Sequence, residues 1–144
     1  MLRIILDTNV LIDAELDENS FPIRIIRLCL KGDLIPLVSN KTEREHHKIL
    51  RRLINNAEHH ALIEEFFSKA ERVFTTSNLR GITDDRDDDK FVELAQDGDA
   101  DYIITKDKHL LDLGKHNLTE ITTPERFWNV YSQVAPERVR ALGY

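Results

Sequence analysis

Residues 3–12 read Arg3-Ile4-Ile5-Leu6-Asp7-Thr8-Asn9-Val10-Leu11-Ile12. An apolar run stops at three polar residues, and a second apolar run resumes at once. Arg3–Leu6 does not alternate apolar with polar, which predicts a strand buried on both faces, as in the middle of a parallel sheet. Asp7 then stands at the carboxyl end of that strand. Taken alone, its carboxylate serves equally well as a turn acceptor or as part of a site. Thr8 and Asn9 suit the opening of a helix, and Asn9 also suits the task of orienting a water.

Working outward, the same alternation of short apolar runs and helical patterns repeats. Ser20 precedes Phe21-Pro22, and a proline suits the first turn of a helix running to about Lys31. Gly32-Asp33 ends it, and Leu34–Val38 is the second strand. Ser39 or Asn40 caps a helix to about Ile54, broken by Asn55-Asn56. In the next helix Leu62, Ile63, Phe66, Phe67 and Ala70 share one face. Arg72–Phe74 is the third strand, residues 75–87 a loop, and residues 88–96 a helix. Tyr102–Thr105 is the fourth strand, His109–Leu113 a helical turn, and Glu120–Thr122 the fifth strand. Thr123-Pro124 opens a last helix, and no element is assigned from Ser132 onward. Strand–helix alternation predicts an α/β fold of three layers, α/β/α, around a mainly parallel sheet of about five strands. The expected organisation is a single domain over residues 1–144, with a core at about 3–131 and a C-terminal tail at 132–144.

Composition limits the function classes. Hydrophobic residues make up 41% of the 144, enough for a core. No apolar run approaches the ~20 residues of a membrane span, and the N-terminal stretch lacks the pattern of a secretory signal. The single cysteine, Cys29, cannot form an internal disulfide, so a reducing cytoplasmic location and a buried thiol are expected. The net charge of −6 is local: residues 84–101 hold nine acids against Arg86 and Lys90, a segment charge of −7, which leaves +1 on the rest. Overall acidity is therefore a weak argument against nucleic acid. Lys41, Arg44, Lys48, Arg51 and Arg52 form one basic cluster, and Arg138 with Arg140 another.

In a doubly wound sheet, ligands gather beyond the carboxyl ends of strands. After the first strand stands Asp7-Thr8-Asn9. After the second stands Ser39, whose helix carries Thr42 and Glu45. The loop ends in Asp85-Arg86-Asp87-Asp88-Asp89, and the fourth strand leads into Thr105-Lys106-Asp107. Each segment brings at least one carboxylate to the same rim. No glycine-rich phosphate loop follows any strand, and no His/Cys cluster has zinc spacing. Crowded carboxylates either hold protons or hold a cation. Oxygen-only donors favour Mg²⁺ or Mn²⁺, and Mg²⁺ typically pairs one or two carboxylates with phosphate oxygens.

Four motifs in order, Asp7-Thr8-Asn9, Ser39-x-x-Thr42-x-x-Glu45, Asp85-x-x-Asp88-Asp89-Lys90-Phe91 leading to Ala95, and Ile104-Thr105-Lys106-Asp107-Lys108-His109-Leu110-Leu111, resemble the PIN-domain nucleases. The resemblance spans about residues 3–131 and comes nearest to the toxin components of bacterial and archaeal toxin–antitoxin pairs. It implies a metal-dependent endoribonuclease acting on single-stranded RNA with Mg²⁺ or Mn²⁺. The implied catalytic and metal-binding acids are Asp7, Glu45, Asp88 and Asp107, with Thr8, Asn9, Asp85 and Thr105 in support. It further implies a homodimer and a small antitoxin protein that masks the site.

Other readings compete. On the helix from Asn40, residues advance by about 100° each, and Ile49, Leu50, Leu53 and Ile54 mark the buried stripe. His46 lies at its centre, Glu43 within it and Glu45 near its edge, so Glu43 rivals Glu45; the Ser-x-x-Thr-x-x-Glu pattern favours Glu45. His46 reads as a satisfied, partly buried histidine. Asp88 faces the core side of its helix, with Asp89 turned away from it. Asp107 and Asp88 also suit helix caps. His59-His60 reads as exposed helix surface, and Trp128 as core. A catalytically silent PIN-fold module that binds RNA or protein is the alternative function. A phosphotransfer site built on Asp7 with Lys106 is a third, weakened because Asn9 stands where a second acid is needed.

Overall fold

The computed structural model describes residues 1–15, 17–83 and 85–144, without the side chain of Arg86. Asp84 and that side chain, both part of the acidic run, lie outside the described residues.

Six strands form one sheet: β1 (Arg3–Leu6), β2 (Ile35–Val38), β3 (Glu71–Arg72), β4 (Tyr102–Ile104), β5 (Lys115–His116) and β6 (Thr119–Thr122). Their order is β3-β2-β1-β4-β6-β5. All neighbours pair in parallel except β5 with β6. The helices are α1 (Thr8–Asp13), α2 (Phe21–Lys31), α3 (Asn40–Leu53), α4 (Ala57–Lys69), α5 (Asp89–Gly98), α6 (Lys108–Leu113), α7 (Pro124–Val134) and α8 (Pro136–Ala141). This is the α/β/α architecture expected from strand–helix alternation.

Successive residues of a strand face opposite sides, and both sides of this sheet are covered. Ile4 and Leu6 of β1 join a core with α1, α2, α4, α7 and α8. Ile5 between them joins a second core with Leu37, Ile103, α5 and Leu110 of α6. That is why β1 reads as an unbroken apolar run. At Gly98, a Cβ would meet Leu37 Cδ1 at 2.9 Å and Val73 Cγ2 at 3.2 Å, so glycine lets α5 end close against the sheet.

The structure corrects the sequence reading in four places. The sheet has six strands, because Lys115–His116 forms a two-residue antiparallel hairpin with β6. Its turn is taken by Asn117 at φ 52°, a conformation asparagine tolerates. The tail is helical: α7 runs on to Val134, and α8 starts with Pro136 in its first turn. Ala135 and Val139 are buried in the first core, so the tail completes that layer. On α3 His46, Leu50 and Ile54 are buried as expected, but Thr42 joins them and Leu53 does not, being 55% exposed. His59 is buried, its Nε2 lying 3.1 Å from the Leu11 carbonyl.

Candidate active site

The strand order turns outward in both directions from the β1–β4 pair, the place where open α/β sheets bind ligands. Leu6 pairs with Ile104, and Asp7 N donates to the Ile104 carbonyl at 3.0 Å. The polar residues after β1 and β4 are thereby side by side at one rim. α5 starts at the same rim, because it must run back beneath the sheet to feed β4. Among the described residues, one group of three acids offers a carboxylate oxygen each within 4.8 Å of one another: Asp7, Asp88 and Asp107.

Each of the three is placed differently. Asp7 is the N-cap of α1, its Oδ1 accepting from Thr8 N at 2.6 Å. Asp7 Oδ2 accepts from the Thr105 hydroxyl at 2.7 Å and from Asn9 Nδ2 at 3.4 Å. Asp107 is the N-cap of α6 and accepts from His109 N at 2.8 Å. Its own amide donates to Thr105 Oγ1 at 2.9 Å, so one buried hydroxyl ties two of the acids together. Asp88 stands at the N-cap of α5 but makes no capping bond. Asp88 Oδ2 is buried and has no hydrogen-bond partner among the described residues.

Crowding and burial make Asp7 and Asp88 hard to ionise. Burial pushes the Asp7 carboxyl up to about 6, partly opposed by the bonds from Thr105 and Thr8, with Glu45 and Asp107 adding repulsion. Burial also pushes Asp88 up to about 7, together with the charges of Asp107, Asp7 and Asp85. Three hard oxygen donors, an orphaned buried carboxylate oxygen and charges that repel unless neutralised fit a hard divalent cation.

The remaining sequence candidates take distinct places. Glu45 lies beside the trio without joining it: Oε2 is 3.0 Å from Thr8 Oγ1 and Oε1 is 2.7 Å from Lys90 Nζ. Glu43 points elsewhere, to Arg72 at 2.7 Å and His47 at 3.4 Å. Asp85 Oδ1 accepts from Asp87 N at 3.0 Å, a turn contact within the loop. Asn9 Oδ1 accepts from Lys106 N at 3.4 Å. Lys106 Nζ pairs with Asp13 at 2.5 Å, away from the Asp7 carboxylate that a phosphotransfer site would need it to serve. Thr8 and Asn9 are first-turn residues of α1; the cap is Asp7 itself. Asp89 is outside the trio but buried, holding Thr83 N at 2.9 Å, Thr83 Oγ1 at 3.0 Å and Gly81 N at 3.2 Å.

His46 is 2% exposed, its Nδ1 lying 2.7 Å from Thr8 Oγ1 and its ring near Phe67 and Phe91. Burial lowers it to about 3, so it is neutral at physiological pH. Cys29 is buried and its thiol is pushed far up by burial. Trp128 is buried in the first core. Sequence reasoning missed Lys90 as a partner of Glu45. A lysine in the first turn of a helix, where an acid is favoured, is the signal that was available.

A family model of the PIN domain matches residues 3–109, a span that contains all of the acids above. An uncharacterized protein of Methanocaldococcus jannaschii is 27% identical over 121 residues, covering 81% of this chain and 77% of the relative. No solved structure matches the chain.

Proposed function

The chain belongs to the PIN-domain family, and from that premise we propose that it is a metal-dependent endoribonuclease that hydrolyses single-stranded RNA. The observation that carries this reading is the convergence of Asp7, Asp88 and Asp107 within 4.8 Å at the sheet's switch point. In it, these three hold Mg²⁺ or Mn²⁺, and Glu45 stands as the fourth acid, acting through water. When bound, the ion supplies Lewis-acid polarisation of a phosphoryl oxygen and lowers the pKa of water. The chain's residues do the positioning: Thr105 fixes Asp7 and Asp107 relative to each other, and the Thr8 amide fixes the second oxygen of Asp7. Water adds to phosphorus, the 3′-oxygen departs with a proton, and the products carry 5′-phosphate and 3′-hydroxyl ends.

The choice of a nucleic-acid chain is supported by α3. Arg44, Lys48, Arg51 and Arg52 are exposed on the helix that carries Glu45, and none makes an ion pair among the described residues. Such a row suits a phosphate backbone. As the toxin of a pair, the protein acts in the cytoplasm as a homodimer, and a small antitoxin covers this rim. Co-purification with the product of an adjacent reading frame, and the mass of the purified protein in solution, check those two points.

The decisive experiment incubates purified protein with single-stranded RNA and Mg²⁺ or Mn²⁺. Cleavage to 5′-phosphate ends, lost in EDTA and in Asp7→Asn, is the expected result. Undiminished cleavage in EDTA, or an active Asp7→Asn, would falsify the reading. Tight RNA binding without turnover under any divalent ion would identify a silent binding module instead.

A further inference from the structure

We propose that Lys90 is the resident cation of the fourth carboxylate: it holds Glu45 out of the acidic trio, so that the site takes one divalent ion and not two. The inference rests on the metal reading above and sharpens it.

Both oxygens of Glu45 are occupied by donors of the chain itself. Oε1 lies 2.7 Å from Lys90 Nζ, and the two side chains are 24% and 17% exposed, so this is no solvated surface pair. Oε2 lies 3.0 Å from Thr8 Oγ1, which in turn lies 2.7 Å from His46 Nδ1. An ionised carboxylate can only accept, so the threonine proton points to Glu45. The hydroxyl then accepts from His46, which must carry its proton on Nδ1. His46 is buried between Phe67 and Phe91, and this packing holds the ring in line with Thr8.

Three contrasts separate this arrangement from an incidental salt bridge. Arg44 and Lys48 stand one residue before and three after Glu45 on its own helix, yet the glutamate pairs across to α5. Lys90 sits in the first turn of α5, where the helix end repels a cation, so local helix electrostatics do not account for it. Asp88, two residues earlier, keeps an oxygen without a partner, while Glu45 keeps none. The trio keeps an orphan oxygen for a cation, whereas the fourth carboxylate already has an ammonium on one oxygen and a hydroxyl on the other, which leaves room for a water but not for a second metal ion.

A two-ion centre sets two cations about 3.5–4 Å apart with carboxylates between them. A second ion on Glu45 would stand against the Lys90 ammonium. Lys90 thus supplies a positive charge beside the trio that is covalently fixed.

The test counts ions without reference to cleavage. Full-length wild type, Lys90→Arg and Lys90→Gln are titrated with Mn²⁺ alone, followed by calorimetry and by the electron paramagnetic resonance of the free ion. One Mn²⁺ per chain is expected for wild type and Lys90→Arg. Lys90→Gln, with Glu45 released toward the trio, is expected to take two, and adding Glu45→Gln to it is expected to restore one. Two ions on the wild type overturn the proposal whatever the variants do, which covers a Lys90→Gln that fails to fold. One ion on a folded Lys90→Gln also overturns it. No ion on any of the proteins removes the metal reading itself, a result distinct from a wrong count.

Discussion

Replacing Asp7 with asparagine should stabilise the metal-free protein at neutral pH while removing its response to metal. Burial raises the Asp7 carboxyl from 3.8 to about 6. At roughly 1.4 kcal/mol per pH unit, keeping it charged costs the fold about 3 kcal/mol. The sign follows from proton binding: the folded state holds the Asp7 proton more tightly than the unfolded chain. The stabilising contribution is full below about pH 4 and is lost as pH rises through about 6. Asparagine avoids that cost. It keeps an acceptor for the Thr8 amide, 2.6 Å away, but turns an NH₂ toward the Thr105 hydroxyl that now donates at 2.7 Å. That mismatch takes back about 1 kcal/mol. The net gain is about 1–2 kcal/mol, or roughly 3–8 °C in Tm for a chain of this size. Removing the Asp7 charge also relieves Asp88, which acts in the same direction.

Thermal unfolding of both proteins in EDTA, at about pH 8 and about pH 4, reads this directly. Asp7→Asn is expected to melt higher at the upper pH, and its advantage should vanish at the lower. His46 titrates alike in both proteins and cancels from the comparison. Saturating Mn²⁺ should reverse the order, because an ion at a hundred times its Kd stabilises the wild type by about 2.7 kcal/mol and a protein without the site by nothing. An Asp7→Asn that melts lower than wild type in EDTA at the upper pH, or that gains as much from Mn²⁺, refutes the reasoning.

Three further outcomes follow from the same site. Thr105→Val removes a buried hydroxyl that serves Asp7 at 2.7 Å and Asp107 at 2.9 Å; a loss of about 1–3 kcal/mol in denaturant unfolding is expected, and an unchanged midpoint would show that Thr105 ties nothing together. His46, lowered to about 3, should keep constant ring NMR shifts down to about pH 5, whereas an unburied histidine titrates near 6.5; a midpoint in that ordinary range contradicts its placement. With Asp7 up at about 6 and Asp88 at about 7, Mn²⁺ must displace protons at about pH 6 and almost none at about pH 8. Calorimetry in buffers of different ionisation heat measures that release, and an affinity indifferent to pH would contradict it.

What was readable in the sequence follows chain order. Asp7 follows β1 directly and Asp107 follows β4 after Thr105 and Lys106, and parallel strands joined by helices bring their carboxyl ends to one rim, so an apolar run with an acid at or just beyond its end is a readable signal. The offset of Asp88 from Phe91 and Ala95, both of which are buried, places it on the core-facing side of α5. The pairing of β1 with β4 sets two of the acids side by side, and neither run states that register alone. Short elements were lost: β5 has two residues, and α8 opens after Ala135 at φ −137°, with no side-chain cap to announce it. The wheel on α3 correctly centres the buried stripe on His46 with Leu50 and Ile54, but it turns Leu53 inward because apolarity alone does not make a residue buried, and it misses Thr42, which is held inside by its bonds with Ser39. Lys90 and Glu45 lie on different helices, and periodicity within either helix says nothing of a contact between them.

The anomalous signal of Mn²⁺ diffused into crystals of the wild-type protein shows where the ion sits. The expected peak lies within bonding distance, about 2.0–2.3 Å, of oxygens from Asp7, Asp88 and Asp107 together, with the buried Oδ2 of Asp88 among them. A peak held by Glu43, by the exposed acids of the loop, or by no more than one of the three would contradict it.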